Sequence, residues 1–485
     1  MPEIAPKKSS RYISKDIESL LNQATSHQVW SSWQLALFRI AFIFFALLVV
    51  PVKWEWYQRF FSGKTLFEFL SPLTGVRPDL ITIQSESGRW GIASYATWGI
   101  ALLIAVAGAS IWTFLARKSR RTEYNTLYYW IVALARYRIA IGIIAFGFLK
   151  TFPMQMPYPS LANLNTEFGD YTAYKLYWQS VGVVTWYEIF LGYVEVVGGF
   201  LMFFRGTAAL GAVINAGVLY NIAHANHAYD GGVHVYSAYF VLLSLFVLAY
   251  YAPNIWKLLI KEQDVIPQNY APQPQKKWQR LVLLGFKYSL IFVFVVVLGY
   301  IRYDMHYNQG RLKEPVKPGL TGAKGYYHVT AFKVNGQEIP YSPLDTVRWQ
   351  DAIFEKYSTF VFKVNKPVNI DLANGVPQTK DVDRTYEFAG EGGGRRFFYY
   401  DADTVKHILY LQDKNTGTRR NGEGRESRRT EQVKEKPRTK LVWHYSQPSE
   451  SRFIISGLNE KKDSIYVVLD RIDRNYALEI SRGVQ

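Results

Sequence analysis

Three of the chain's eight histidines fall in one stretch, His224-Ala-Asn226-His227-Ala-Tyr229-Asp230-Gly-Gly-Val-His234. Imidazole with carboxylate is a donor set for a transition metal. A carboxylate behind an imidazole fixes its tautomer, and histidine alone titrates near neutral pH. His224 and His227 are three apart, which puts them on one face of a helix. The pair Gly231-Gly232 leaves the place of His234 to the fold. The candidate ligand or proton site is therefore His224, Asn226, His227, Tyr229, Asp230 and His234. Its candidate metal ligands are His224, His227 and His234. The plainer alternative is histidines and aromatics that meet lipid headgroups.

A second set of polar residues lies inside or beside long apolar runs: Arg136, Arg138, Lys150, Glu188, Glu195 and Asn221. Charge is costly within a bilayer, so such residues are functional candidates by default. Glu188 and Glu195 are seven apart, two helical turns, and share a face. They would relay protons or hold a cation. Alternatively, Glu195 meets Arg138 as a structural ion pair. Arg39 and Lys287 lie close enough to the ends of their runs to snorkel. The run Gly390-Glu-Gly-Gly-Gly394 lacks the Lys-Ser/Thr of a phosphate loop and reads as a flexible turn. No Ser/His/Asp or zinc-protease pattern appears. Cysteine is absent, which excludes disulfides, thiolate metal sites and cysteine nucleophiles.

These residues need a scaffold, and the apolar runs supply it. Runs at about 33–52, 91–115, 127–149, 187–204, 207–225, 233–251 and 281–301 predict seven membrane spans. The first is too long for a signal-peptide core and is read as retained. With residues 1–32 in the cytoplasm, inner loops hold 14 basic residues and outer loops before the last span hold 7. That bias favours this orientation, and an odd span count places the C-terminal region outside. The basic residues flank spans, so a nucleic-acid partner is not expected. Clusters such as Trp54-Glu-Trp56-Tyr57 and Tyr128-Tyr129-Trp130 read as an interfacial aromatic belt.

The expected organisation continues with two spans and an exterior loop over 33–126, then a four-helix membrane core over 127–254. A cytoplasmic linker with Pro267, Pro272 and Pro274 covers 255–280, and the seventh span covers 281–302. A Gly/Pro/Lys-rich tether follows at 303–325. From 326 to 485 the period changes to alternation, as in Phe360/Phe362/Val364, Leu441/Trp443/Tyr445 and Ile465/Val467/Leu469. Asn335-Gly336 is a hairpin signal. The chain is thus expected to be an α-helical polytopic membrane protein with a C-terminal all-β domain, a small barrel or sandwich. A disordered basic loop is expected at about 415–438.

The run from Arg136 to Asn254 resembles DoxX-like membrane proteins, in their long form with an appended exterior domain. The resemblance rests on Arg136-Tyr-Arg138, Phe146-Gly-Phe-Leu-Lys150, Phe152-Pro-Met-Gln-Met-Pro-Tyr-Pro-Ser160-Leu161 and Gly169-Asp170. It continues in Glu195-Val-Val-Gly-Gly199, Phe204-Arg205, Gly211-Ala-Val, Asn221, Tyr229-Asp230 and Tyr236-Ser237. The tail is similar at Val334-Asn-Gly336, Thr346-Val-Arg-Trp349 and Ser481-Arg-Gly483. The resemblance implies a four-helix bundle of spans three to six. It also implies redox-associated roles of some members, among them a thiosulfate:quinone oxidoreductase subunit and partners of thiol-handling enzymes. The pattern departs where similar long forms carry Asn-Phe-Cys-Tyr-Asp: here Asn226-His227-Ala228-Tyr229-Asp230 removes the thiol. Val233-His234-Val235 stands where they carry Val-Lys-Leu.

The expected function is an inner-membrane accessory subunit of a quinone- or redox-linked complex, with quinone or a transition metal as the cofactor. Its expected partners are the lipid bilayer and other membrane or periplasmic proteins. The alternatives are an anchored binding module, whose β-domain captures a lipid, peptide or protein, and a proton or ion pathway.

Overall fold

The structure, a computed structural model, describes residues 30–482 except 82, 84–91, 120, 266–269, 273, 373–374, 376 and 416–437. The basic N-terminal segment, and nearly all of the charged loop expected at 415–438, lie outside the described residues. The chain divides into two compact units. One comprises the residues up to Ala145 with Glu195–His224 and Val233–Leu298. The other comprises Phe146–Val194, Ala225–Gly232 and everything from Gly299 on.

The helices are α1 (Ser32–Val49), α2 (Trp54–Phe61), α3 (Leu66–Thr74), α4 (Ala96–Ala116), α5 (Asn125–Thr151), α6 (Leu161–Leu164) and α7 (Ala173–Gly182). They continue as α8 (Thr185–Leu201), α9 (Ala208–Ala228), α10 (His234–Leu259), α11 (Lys277–Tyr307) and α12 (Ala477–Arg482). Six are long and apolar enough to cross a bilayer: α1, α4 with its preceding turn, α5, α9, α10 and α11. The pair α7 and α8, bent by 92° at the break between them, passes the same test only when taken together, so the described residues hold six such helices, or up to seven if that pair is one span. The 17 residues of α8 reach about 25 Å at 1.5 Å per residue, close to the hydrocarbon thickness.

In the first unit the helices close on aromatic and small residues. Phe45 stacks on Phe246 at 3.8 Å between ring centres. A Cβ at Gly199 would lie 2.8 Å from the Ile144 side chain and 3.2 Å from the Ala140 carbonyl, so this glycine lets α8 approach α5 closely.

The β-domain is a closed barrel, not a sandwich. Strands β1 (Gly325–Val334), β3 (Trp349–Phe354), β4 (Thr359–Val364), β5 (Arg395–Asp403), β6 (Ile408–Asp413), β7 (Lys440–Ser449), β8 (Arg452–Leu458) and β9 (Ser464–Ile472) pair antiparallel in chain order. The pairing of β1 with β9 completes the ring, from Tyr326 opposite Ile472 to Val334 opposite Ile465. Closure removes both sheet edges. A two-residue β2 (Gln337–Glu338) hangs from β1 through Asn335-Gly336. Both turn residues have positive φ, 50° and 80°, as a type I′ hairpin requires.

The alternation expected from the sequence points the right way throughout. Phe360, Phe362, Val364, Leu441, Trp443, Tyr445, Ile465, Val467 and Leu469 all enter one core inside the barrel, while Val442 is exposed. Side chains fill that interior, as expected for eight strands. Trp443 is buried at its centre and donates its indole N–H to the Leu458 carbonyl at 2.9 Å.

Residues 303–325 are not a free tether. Helix α11 runs to Tyr307, and the chain beyond it is pinned by side chains. Arg384 donates to the carbonyls of Gly310 and Glu314, at 2.7 and 2.5 Å, and Asp381 accepts from Val316 and Lys317 N–H.

Candidate functional site: a buried ionic cluster

Within the second unit, the segment between α5 and α8 covers the outer wall of the barrel at β3–β5. Leu161 and Ala162 pack there on Ile353, Val361, Phe388 and Phe397. This explains why β4 is buried on both faces, where a half-solvated strand would alternate. Ser160 and Asn163 form reciprocal caps on α6, at 3.1 and 3.2 Å. The next two N–H groups, of Leu161 and Ala162, donate to the Glu355 carboxylate at 3.0 and 2.7 Å.

Around this docking point lies a buried set of charges. Arg395 grips Asp351 with two bonds, at 2.7 and 3.1 Å, and donates to the Asn165 carbonyl at 2.8 Å. Its Nε lies 3.6 Å from Glu391. Glu391 accepts from the Asn163 amide at 2.7 Å. Lys414 pairs with Glu387 at 2.6 Å. Lys175 donates to the Tyr386 carbonyl at 2.5 Å, with its ammonium 4.1 Å from the centre of the Tyr386 ring. Lys313 lies 4.8 Å from the Trp178 ring centre. Glu188, completely buried, accepts from Gln155 and Met156 N–H at 3.1 and 3.0 Å.

Burial dominates the electrostatics here. It pushes the Glu355 carboxyl up to about 7, against the opposing pull of the Ala162 and Leu161 N–H groups. It raises Glu387 despite Lys414, and Glu391 despite Arg395. The Tyr357 and Tyr386 phenols are raised by burial and then by neighbouring carboxylates, so both stay neutral.

The glycine run is part of this docking rather than a flexible turn. Gly390 has φ +76°, and a Cβ there would meet Thr172 Oγ1 at 2.7 Å and Lys175 Cβ at 2.9 Å. Its carbonyl accepts from Thr172 N–H at 2.9 Å. Gly394 has φ +81°, and a Cβ would lie 1.9 Å from the Val364 carbonyl oxygen.

The histidine stretch takes another form. Among the described residues, no group of three or more His, Asp or Glu side chains gathers to hold a metal. His224 is exposed, and its Nδ1 lies 3.0 Å from the Tyr220 carbonyl of its own helix. His234 is buried at the start of α10, with Nε2 3.4 Å from Ser94 Oγ. His227 is half-buried, Asn226 is buried, and Asp230 makes the turn after α9 at φ 51°. Tyr229 is exposed and stacks on Tyr177 at 4.9 Å. His224 and His227 belong to α9, whereas His234 opens α10 after the turn at Asp230.

The membrane polar residues also rearrange. Arg138 does not pair with Glu195. Its guanidinium donates to the carbonyls of Thr74 and Val76, at 3.3 and 2.5 Å, and to the Tyr236 hydroxyl at 2.8 Å. Arg136 caps the end of α8 by donating twice to the Met202 carbonyl, at 3.1 and 2.9 Å. Lys150, Glu188 and Glu195 are buried as expected, but Asn221 is exposed. The buried asparagine is Asn215, which donates to the Gly198 carbonyl at 2.9 Å. Arg39 does not snorkel: it is buried and bonded to Tyr124 Oη and Thr113 Oγ1. The ionic cluster itself was missed, because its members are scattered from Asn163 to Lys414. Only Asp351 in β3 and Arg395 in β5 offer a signal, as charges within apolar strands; Glu355, Glu387, Glu391 and Lys414 lie in the connections.

Fold and site together define a polytopic helical membrane protein that carries a closed eight-stranded barrel clamped to one of its own loops. No protein-family model matches the chain, and no solved structure matches it. It is similar to a protein of Bacillus subtilis (strain 168) described as Uncharacterized protein YwoB, with 33% identity over 75 residues, 16% of this chain and 49% of that protein. The chain thus spans about half the length of this relative.

Proposed function

We propose that the protein is an integral membrane accessory subunit of the DoxX-like kind that presents a rigid exterior barrel to a partner protein in a redox-linked membrane complex. The observation that carries this reading is the clamp of the 152–184 segment on the barrel wall. It spends buried charges on fixing the barrel, and its Glu355, Glu391 and Arg395 are engaged with the protein's own groups. A barrel interior filled by Trp443, Phe360 and their neighbours supports recognition on the outer surface rather than inside. The sequence resemblance supports the redox setting.

We place the N-terminal segment in the cytoplasm and the barrel outside, across the inner membrane. The basic-residue bias supports this. So does parity. The 152–184 segment bonds to the barrel, so both lie on one side, and the chain between them must cross an even number of times. Crossings by α8, α9, α10 and α11 make that number four. The stacking of Tyr177 on Tyr229 requires the same of α8 with α9. Both contacts support counting α8 as a span.

Photo-crosslinkers at Val405 and Val442, both exposed on the barrel, test the reading in intact cells. The expected result is a discrete adduct with one membrane or exported protein, identified by mass spectrometry. Adducts with lipid alone, from both positions, would overturn it.

A further inference from the structure

A groove of about 340 Å³ lies where α5 and α11 begin, lined chiefly by Tyr129, Trp130, Pro272, Pro274, Trp278 and Val282. Its volume is in the range of small-molecule sites. It is a built feature. Tyr270 holds the proline wall in place, with its hydroxyl 2.9 Å from Thr126 Oγ1 and its carbonyl accepting from the Tyr250 hydroxyl at 2.7 Å. Trp130, in the second turn of α5, and Trp278, in the first turn of α11, are both about half-exposed, near the helix ends where indoles meet headgroups.

The charge around the groove is predominantly positive. Lys276, Lys277 and Arg280 are exposed on the turn that carries Trp278. On the flanking stretches, 117–123 and 270–280, basic residues outnumber acidic ones seven to one, the acidic one being Glu123. An apolar groove rimmed by cations at a membrane surface matches an amphiphile with an apolar tail and an anionic head.

We propose that this groove is a site for one anionic phospholipid, with an acyl chain against Trp130, Trp278 and Val282 and the headgroup phosphate on Lys276, Lys277 and Arg280. The bulk bilayer wets the rest of the helix surface. Here the proline wall adds a second side, so an acyl chain makes more van der Waals contacts than on an open helix face. Each basic residue near the headgroup contributes about 1 kcal/mol, or about fivefold in affinity. The site does not depend on the proposed partner or on which side of the membrane the barrel lies.

Native mass spectrometry of the full-length protein tests this, after incubation with equimolar phosphatidylglycerol and phosphatidylcholine of matched chains. The first retained lipid is expected to be mostly phosphatidylglycerol. The triple variant Lys276→Gln, Lys277→Gln, Arg280→Gln is expected to lose that preference. Trp278→Ala is expected to weaken retention of both lipids. A double variant Lys257→Gln, Lys261→Gln, on basic residues outside the groove, is expected to keep the preference. Equal retention of both lipids by the wild type would overturn the proposal. So would a preference that survives the triple variant, or one that the double variant abolishes equally.

Discussion

The Arg395 guanidinium and the Asp351 carboxylate meet in a two-pronged pair, Nη1 to Oδ1 at 2.7 Å and Nη2 to Oδ2 at 3.1 Å, on the barrel wall beneath the 152–184 segment. The geometry matches the fork of arginine, and a lysine cannot reproduce it. Arg395→Ala leaves Asp351 buried without its cation and is expected to cost about 3–5 kcal/mol. Arg395→Lys is expected to recover less than half of this. Asp351→Asn with Arg395→Ala should cost less than the sum of the single changes. Thermal unfolding of the detergent-solubilised protein checks all three.

Glu355 gives the clamp a pH dependence. Its carboxyl is raised to about 7 in the fold, from an ordinary value near 4.3 when unfolded. The folded state therefore holds a proton that the unfolded chain has released between those values. Its contribution is complete below about pH 4 and is lost as pH rises through 7. The expected loss between pH 4 and 8 is about 3–4 kcal/mol, at 1.36 kcal/mol per unit. Glu355→Gln should flatten this slope in a comparison of melting temperatures across the window. An unchanged slope would assign the dependence to Glu387 or Glu391.

Arg138 acts as a pin rather than as one half of an ion pair. Removing it, as Arg138→Met, frees the Thr74 and Val76 carbonyls and the Tyr236 hydroxyl. Thermal double-mutant cycles are expected to couple Arg138 with Tyr236→Phe by about 1.5–3 kcal/mol, the scale of one hydrogen bond to a charged group. Coupling to Glu195→Gln is expected to be within about 0.5 kcal/mol.

The absence of cysteine makes topology directly testable. Phe168→Cys, on the 152–184 segment, and Val405→Cys, on the barrel, are both exposed positions. An impermeant maleimide is expected to label both in intact cells, and Lys261→Cys only after lysis. Labelling of Phe168→Cys and Val405→Cys from opposite sides would contradict the parity argument for α8.

Trp443 fills the middle of the barrel. Trp443→Ala leaves a cavity that the ring of strands cannot collapse into, with an expected cost of about 3–5 kcal/mol, read as a lowered melting temperature.

The sequence alone determined the spans and the strands, because both are periodic and local. Runs long enough to cross hydrocarbon need no partner to be recognised, and the alternation in Leu441/Trp443/Tyr445 assigns an inside to β7 before any pairing is known. Asn335-Gly336 marked its turn for the same reason: the φ requirement belongs to two residues. What the sequence left open was every contact that joins distant segments. Barrel rather than sandwich was decided by β1 meeting β9, about 140 residues apart. Arg138 could not be matched to its acceptors, because main-chain carbonyls at Thr74 and Val76 carry no residue-type signal. The histidines looked like one site because they are close in the chain, but the turn at Asp230 sends His234 into another helix. Glu355, Glu391 and Arg395 carry no sign of burial in the chain itself, because the loop laid over them lies 194 to 230 residues earlier. Their burial, and hence their chemistry, belongs to that tertiary contact.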